Sequence, residues 1–282
     1  MSARFGPAGN AADFPYKTSA QAPGWLRELG LDCYEYQCGK GVHVGEDTAR
    51  RIGAAAREHG ITLSLHAPYF INLANPDPAA LQKTIGYITD ACLTASRMGA
   101  GRVIIHSGAL MGRTRRQALD IALRSLREVL RACDDAGFGA LTLCPETMGK
   151  VGQLGTLDEV LALCGVDSRI TPCIDFGHLN ARTLGGIQTK VDYAAILDRM
   201  AEVLGDDRAR QFHVHFSRIE YSAGGEKRHW TFADTQFGPE PQPLMELLAQ
   251  RQLTPVVICE SAGTQAEDAQ TMQQMYRAAR NV

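Results

Sequence analysis

The segment TPCIDFGHLNA, residues 171–181, contains the pattern on which the whole chain is built. Its apolar run, PCI, is typical of a buried strand, yet the run ends on a carboxylate, Asp175, and His178 follows three residues later. A buried carboxylate is strongly unfavourable unless it is paired with a cation or binds a metal. The segment therefore predicts a strand whose carboxyl end needs a compensating positive charge.

Short apolar or β-branched runs recur along the chain, separated by helical patterns. Eight such runs lie near Phe5, from Cys33, and up to His66, His106, Glu146, Asp175, His215 and Glu260. Gaps of about 30 to 45 residues separate the last six, which leaves room for a crossover helix between parallel strands. Eight consecutive strand–helix units predict an α/β fold, a (β/α)8 TIM barrel, with residues 1–282 as a single domain.

Two helical patterns support this fold. They cover Glu46–His59 and residues 116–136, and each ends at a glycine, Gly60 or Gly137, where a helix stop is expected. An open doubly wound sheet is the alternative. It is disfavoured because no G-x-G-x-x-G motif follows the first strand.

The composition narrows the class of protein. The chain has 282 residues, 45% of them hydrophobic, and a formal net charge of -2, so its global charge does not favour nucleic acid. No signal peptide or membrane span is recognisable, and we expect a cytoplasmic protein with no membrane contact and no obligate protein partner. The eight cysteines form no C-x-x-C pair, which argues against a structural zinc knuckle and for buried thiols.

Polar residues end six successive strands, at the rim where barrel enzymes build their active sites. These are His66, His106, Glu146, Asp175, His215 and Glu260. Three carboxylates around one cavity would repel one another, and bound divalent metal removes that penalty. Because the ligands are nitrogen and oxygen without thiolate, catalytic zinc is expected, with manganese as the alternative. His178 and His229 follow strands in adjoining loops and are further candidate ligands.

The chain resembles the endonuclease IV family of the xylose-isomerase-like barrels. The segments that carry the resemblance are SLHAPYFINLA, IIHSG, PETMGKVGQLG, IDFGHLNA, HVHFS, GGEKRHWTF and ICES, spread between residues 64 and 261. The resemblance implies a zinc-dependent hydrolase of DNA repair that cleaves DNA at abasic sites with a metal-activated hydroxide.

The resemblance also implies a role for each matching residue. His66, His106 and Glu146 would hold one zinc ion; Glu146 would bridge to a second ion shared with Asp175, His215 and Glu260; His178 and His229 would hold a third. Glu146 and Glu260 would be the catalytic carboxylates. Tyr69 and Phe70 would contact DNA beside the lesion, or else they simply pack at the rim.

Two departures from the family pattern concern the third ion and the DNA. The family has an aspartate two residues before the last histidine, where this chain has Lys227, and an ammonium group does not ligate zinc. Either Glu226 or Asp234 substitutes, or Lys227 contacts the substrate instead, so we predict two firmly bound ions and an incomplete third site. The loop YEYQCGKGVHVG, residues 34–45, lacks the family's DNA-penetrating arginine, which weakens the case for duplex DNA.

The alternative function is that of a sugar isomerase or epimerase of the same barrel superfamily. Such enzymes hold one metal with a glutamate, an aspartate, a histidine and a second glutamate, a set that Glu146, Asp175, His215 and Glu260 match equally well. The small sugar would then be the substrate. The epimerases carry a further glutamate where this chain has Gly152. His213 shares the inward face with His215 and either fills the core or supports a ligand.

Overall fold

The structure, a computed structural model, describes residues 2–280 and has an eight-stranded parallel sheet at its centre. The strands are β1 (Arg4–Pro7), β2 (Cys33–Gln37), β3 (Thr62–His66), β4 (Arg102–His106), β5 (Thr142–Glu146), β6 (Cys173–Asp175), β7 (His213–Phe216) and, after an inserted hairpin, β10 (Val256–Cys259). The hairpin consists of β8 (Arg218–Ser222) and β9 (Gly225–Trp230). The order in the sheet is β1-β10-β7-β6-β5-β4-β3-β2, so chain neighbours pair around a ring.

The ring closes between β1 and β2. The amide of Asp32 donates to the carbonyl oxygen of Phe5, and the amide of Gly9 donates to that of Glu35, both at 2.8 Å. Gly6 permits this approach, because a Cβ at that position would lie 1.7 Å from the carbonyl oxygen of Cys33. The eight strands and their flanking helices confirm the predicted (β/α)8 barrel.

Ten α-helices pack around the barrel in the described part of the chain. They are α1 (Ala22–Glu28), α2 (Glu46–His59), α3 (Pro78–Met98), α4 (Arg115–Asp135), α5 (Leu157–Cys164), α6 (Phe176–Arg182), α7 (Lys190–Leu204), α8 (Asp206–Arg210), α9 (Gln242–Gln250) and α10 (Gln265–Arg280). Both predicted helices are confirmed, and α2 ends at Gly60 in the left-handed conformation (φ 68°) that favours glycine. A capping box formed by Thr114 and Gln117 starts α4.

The main hydrophobic core lies between the outer faces of the strands and the helices. All eight cysteines are buried and free, as the apolar runs around them predict. Among residues 2–280, no helix combines the length and apolar character that crossing a bilayer requires.

Candidate metal centre

The residues that end the strands meet at the carboxyl-terminal mouth of the barrel. Pairing of β4 with β5 sets His106 beside Glu146, and pairing of β6 with β7 sets Asp175 beside His215. Above them lies a cavity of about 270 Å³. Its lining consists of His66, Tyr69, His106, Glu146, Met148, Lys150, Gln153, His178, Glu226, His229 and Glu260. Because parallel strands all end at this rim, residues distant in sequence converge here.

Glu146 is the centre of the arrangement and is almost fully buried. Its Oε2 lies 3.2 Å from Nε2 of His66 and 3.3 Å from Nε2 of His106. Its Oε1 lies 3.0 Å from Nδ1 of His215 and 3.4 Å from Nδ1 of His178. The two carboxylate oxygens therefore face two separate groups of imidazoles.

Backbone carbonyls fix the orientation of three of these imidazoles. Nδ1 of His66 lies 2.8 Å from the carbonyl oxygen of Ala67, and Nδ1 of His106 lies 3.1 Å from that of Tyr69. Nδ1 of His178 lies 3.0 Å from a carbonyl oxygen in the loop after β5. A carbonyl only accepts hydrogen bonds, so each Nδ1 carries a proton, and in the neutral form of each ring Nε2 holds the lone pair that a metal can use. Metal-binding histidines are commonly oriented in this way.

Asp175 has one bonded oxygen and one unbonded oxygen. Oδ1 accepts a hydrogen bond of 2.7 Å from the amide of His178 and thereby caps α6. Oδ2 is buried without a hydrogen-bond partner; it lies 3.1 Å from Nδ1 of His178, whose proton is directed at a carbonyl instead. The pKa of Asp175 is raised to about 6, chiefly by burial; the charges of Glu260 and Glu146 contribute to the rise, and the charge of His178 opposes it. An unsatisfied oxygen in this setting fits a metal ligand.

His66, His106 and Glu146 form the first ligand group. The second ligand group consists of Glu146, Asp175, His215 and Glu260, whose ligand atoms all lie within 4.8 Å of one another. Without a metal, protons on the neighbouring imidazoles must offset the charge of these carboxylates. Burial lowers the pKa of His66, but Glu146 more than compensates, and the pKa of His66 rises to about 9. Burial likewise lowers the pKa of His178, and Asp175 and Glu226 raise it well above its usual range. Divalent ions and protons would compete for the same nitrogens.

A third ligand group lies on the other side of His178. Its members are His178, Glu226 and His229, with ligand atoms within 4.8 Å of one another. Nε2 of His178 lies 3.4 Å from Oε2 of Glu226. Nδ1 of His229 lies 2.8 Å from Oγ of Ser217, so Nε2 is the ring nitrogen that remains for a metal. Of the two substitutes considered for the family's aspartate, Glu226 therefore lies in the site.

A bulge in β9 places Glu226 there. The pairing of β8 with β9 skips Lys227, which becomes an extra residue between two paired ones. Residues three apart in a regular strand face opposite sides, but the bulge brings Glu226 and His229 to the same face.

The side chains of Lys227 and Asp234 have partners elsewhere. Lys227 forms an ion pair with Glu220 and is not among the residues that line the cavity. Asp234 accepts a hydrogen bond of 2.8 Å from the amide of Thr231. The structure thus places Lys150, and not Lys227, as the cationic side chain in the cavity lining.

Comparison with known proteins agrees with this architecture. The profile of the xylose isomerase-like TIM barrel family matches residues 23–280. The chain belongs to this family. It is 32% identical over 238 residues to the uncharacterized protein MJ0133 of Methanocaldococcus jannaschii, an alignment that covers 84% of each chain.

Proteins similar to this chain include a probable endonuclease and, in fold, an endonuclease and an epimerase-like protein. The chain is 29% identical over 182 residues to a probable endonuclease 4 of Acholeplasma laidlawii, covering 62% of this chain and 60% of that protein. Endonuclease IV of Thermus thermophilus has a similar fold, with a TM-score of 0.70, 18% identity and 99% coverage of each chain. A D-tagatose 3-epimerase-like protein has a TM-score of 0.74 at 18% identity, with 99% of this chain and 98% of that one covered. The resemblance to endonuclease IV is confirmed, and the shared fold includes both kinds of protein.

The two rim aromatics differ in their surroundings. Tyr69 is 56% exposed and lines the cavity above Glu146, whereas Phe70 is 39% exposed and is not among the residues that line it. The ring of Phe70 packs edge-on against Tyr87 with the centroids 4.6 Å apart. Tyr69 is therefore available to a substrate in the cavity, and Phe70 extends the rim.

Sequence patterns did not indicate the buried glutamate of β2. Glu35 is 0% exposed and lies beneath the candidate metal ligands, with Nε2 of His213 and of His215 each 3.0 Å from one of its oxygens. Burial alone would raise the pKa of Glu35, but these imidazoles lower it well below its usual range. Alternation within CYEYQ indicated only that Cys33, Glu35 and Gln37 share a face.

Proposed function

We propose that this protein is a zinc-dependent phosphodiester hydrolase of the endonuclease IV type, with DNA at an abasic site as the first substrate to test. The observation that carries the proposal is that the two oxygens of Glu146 face separate groups of ligands. One carboxylate shared between two groups suits a pair of metal ions. Sites with two or more metals are typical of phosphoryl transfer and hydrolysis.

Three groups of residues would hold the ions. The first contains His66, His106 and Glu146; the second contains Glu146, Asp175, His215 and Glu260; the third contains His178, Glu226 and His229. When bound, divalent ions supply Lewis acidity toward the phosphate and activate a water nucleophile. The nitrogen and oxygen ligands favour zinc and also suit manganese. We propose that Glu226 completes the third site. The protein would then hold three ions, in place of the two firmly bound ions expected when Lys227 left that site incomplete.

The remaining cavity residues would position the substrate. Lys150 and Gln153 belong to the loop after β5 and line the cavity beside Glu226. Among the described lining residues, Lys150 carries the only permanent positive charge, which suits a phosphate group. Tyr69 lines the same cavity and offers an exposed ring on which a base or sugar can stack.

The second candidate function is epimerisation or isomerisation of a small sugar. It is favoured by the four-ligand group around Asp175, which holds a single metal in that reading, and by a cavity of about 270 Å³. Glu146 and Glu260 would then relay protons at the carbon beside a carbonyl. Two features argue against the epimerase function. It gives no role to the third ligand group around Glu226, and Gly152 occupies the position at which the epimerases carry a further glutamate.

One pair of assays separates the two functions. Zinc-loaded protein is incubated with a duplex that contains an abasic site and, separately, with a panel of ketoses and ketose phosphates. The nuclease function predicts strand cleavage that a chelator abolishes, that Glu146→Gln reduces by at least about 1000-fold, and that Glu246→Gln on the surface of α9 leaves unchanged. Epimerised sugar together with intact DNA would reject the nuclease function.

We also propose that the chain forms one domain and works in the cytoplasm. Support comes from the eight free, buried cysteines, which are typical of a reducing compartment.

A further inference from the structure

The interior of the barrel contains a polar cluster centred on Glu35. Oε2 accepts a hydrogen bond of 2.8 Å from Oγ of Ser64, and Oε1 accepts one of 3.1 Å from Nε2 of Gln37. Nε2 of His213 lies 3.0 Å from Oε2, and Nε2 of His215 lies 3.0 Å from Oε1. All four groups surround one carboxylate that has no exposed surface.

The contact between Arg102 and His213 defines the proton position on His213. Nη1 of Arg102 lies 3.5 Å from Nδ1 of His213 and also donates to the carbonyl oxygen of Phe212 at 3.1 Å. A guanidinium group has no acceptor atom, so Nδ1 of His213 accepts and Nε2 carries the proton. Nε2 of His213 is buried without an aligned hydrogen bond in the described chain, and the acceptor beside it is Oε2 of Glu35 at 3.0 Å.

His215 meets the same carboxylate from the other side. Its Nε2 lies 3.0 Å from Oε1 of Glu35 and has no aligned hydrogen bond within residues 2–280. Its Nδ1 lies 3.0 Å from Oε1 of Glu146 and 3.5 Å from Oε1 of Glu260. Anionic carboxylates only accept hydrogen bonds, so in the metal-free protein both ring nitrogens of His215 face acceptors. An ion bound beside Glu146 and Glu260 would replace only the proton on Nδ1, because Nε2 stays against Glu35.

We propose that Glu35 is a positioning residue for metal binding: it holds His215 as the Nε2–H tautomer and turns Nδ1 toward the ion of the second ligand group. Ser64 and Gln37 fix the carboxylate, and His213 fills its remaining acceptor position. The inference rests on the proposed metal-dependent function. It concerns a residue of β2, the strand for which the resemblance to endonuclease IV provided no ligand.

The test measures zinc affinity by competition with a chromogenic chelator. In Glu35→Gln, the amide NH2 faces at least one imidazole N–H, so His215 loses its fixed tautomer. We expect an affinity loss of about 10- to 100-fold, confined to one metal equivalent. Ser64→Ala removes one donor to Glu35 and should lower affinity by a few-fold. Ser125→Ala, at a buried serine on α4 outside the barrel, is the matched control and should leave affinity unchanged.

One further measurement keeps the outcome decisive. If Glu35→Gln does not fold, long-range ¹H–¹⁵N spectra of zinc-loaded wild-type protein must show His215 with a protonated Nε2 and a metal-bound Nδ1. Zinc on Nε2 of His215, or a folded Glu35→Gln protein with wild-type affinity, would overturn the role of Glu35. Wild-type protein that binds no zinc would instead refute the proposed function itself.

Discussion

Gly149 offers a sharp test of the third ligand group, because a single methyl group at this position should displace Glu226. A Cβ added to Gly149 would lie 2.5 Å from Cβ of Glu226 and 2.9 Å from its Oε2. It would also lie 3.0 Å from Cδ2 of His178. Gly152, in the same loop, has nothing within 4 Å of an added Cβ, and neither glycine has a positive φ. Gly149→Ala and Gly152→Ala therefore differ mainly in this collision.

The size of the effect follows from the overlap. Carbon atoms pack about 3.5–4.0 Å apart, so Cβ of Glu226 must retreat by about 1 Å or more. Metal–ligand distances tolerate only about 0.2 Å, so the carboxylate leaves the ligand position. Overpacking of this kind typically destabilises the fold by about 1–3 kcal/mol.

The assay combines metal counting with unfolding. After zinc loading and dialysis, the wild type and Gly152→Ala should retain three equivalents, and Gly149→Ala two. Urea unfolding of the metal-free proteins should show the loss of about 1–3 kcal/mol for Gly149→Ala alone. If Gly149→Ala retains three equivalents and the stability of Gly152→Ala, Glu226 is not the ligand that completes the third site.

Two other predictions concern charge. Lys150→Met should weaken binding of inorganic phosphate to the zinc-loaded protein by about tenfold, because it removes a charged donor from the cavity. Lys227→Met should have no effect, since Lys227 pairs with Glu220 outside the lining. Equal effects of the two substitutions in calorimetry would contradict this prediction. In the metal-free protein, the raised pKa of His66, about 9, means that the folded state holds a proton that the unfolded state releases near pH 6.5. This stabilisation is complete below pH 6.5 and is lost by about pH 9. The free energy of unfolding, measured by urea denaturation, should fall by about 3 kcal/mol between pH 6.5 and 9. A rise in the free energy of unfolding over the same pH range would contradict the raised pKa of His66.

The sequence was sufficient for the barrel because its strands are short apolar runs at regular spacing. The ends of the strands could be predicted from the same apolar runs, because a run such as PCI that stops at Asp175 places a polar group at the rim. The short β6, only Cys173–Asp175, shows how abruptly the strand gives way to α6, with Asp175 serving as both strand end and helix cap.

Two features needed the three-dimensional structure. The role of Glu35 depends on contacts across the barrel with His215 on β7, and strand alternation cannot reveal a partner 180 residues away. The position of Glu226 depends on the bulge at Lys227, which changes the face on which a side chain lies without any local sequence signal. In both cases tertiary geometry, and not residue type, determined the role.

The most direct test of the account is diffraction at the zinc absorption edge from zinc-loaded crystals. We expect anomalous peaks between the ligand groups of Glu146, with two ions about 3.5–4 Å apart, and a further peak beside Glu226. The central claim is that these side chains assemble to bind metal. It would be contradicted if saturating zinc gave no anomalous peak among His66, His106, His215 and Glu146, so that only protons joined the imidazoles to the carboxylate.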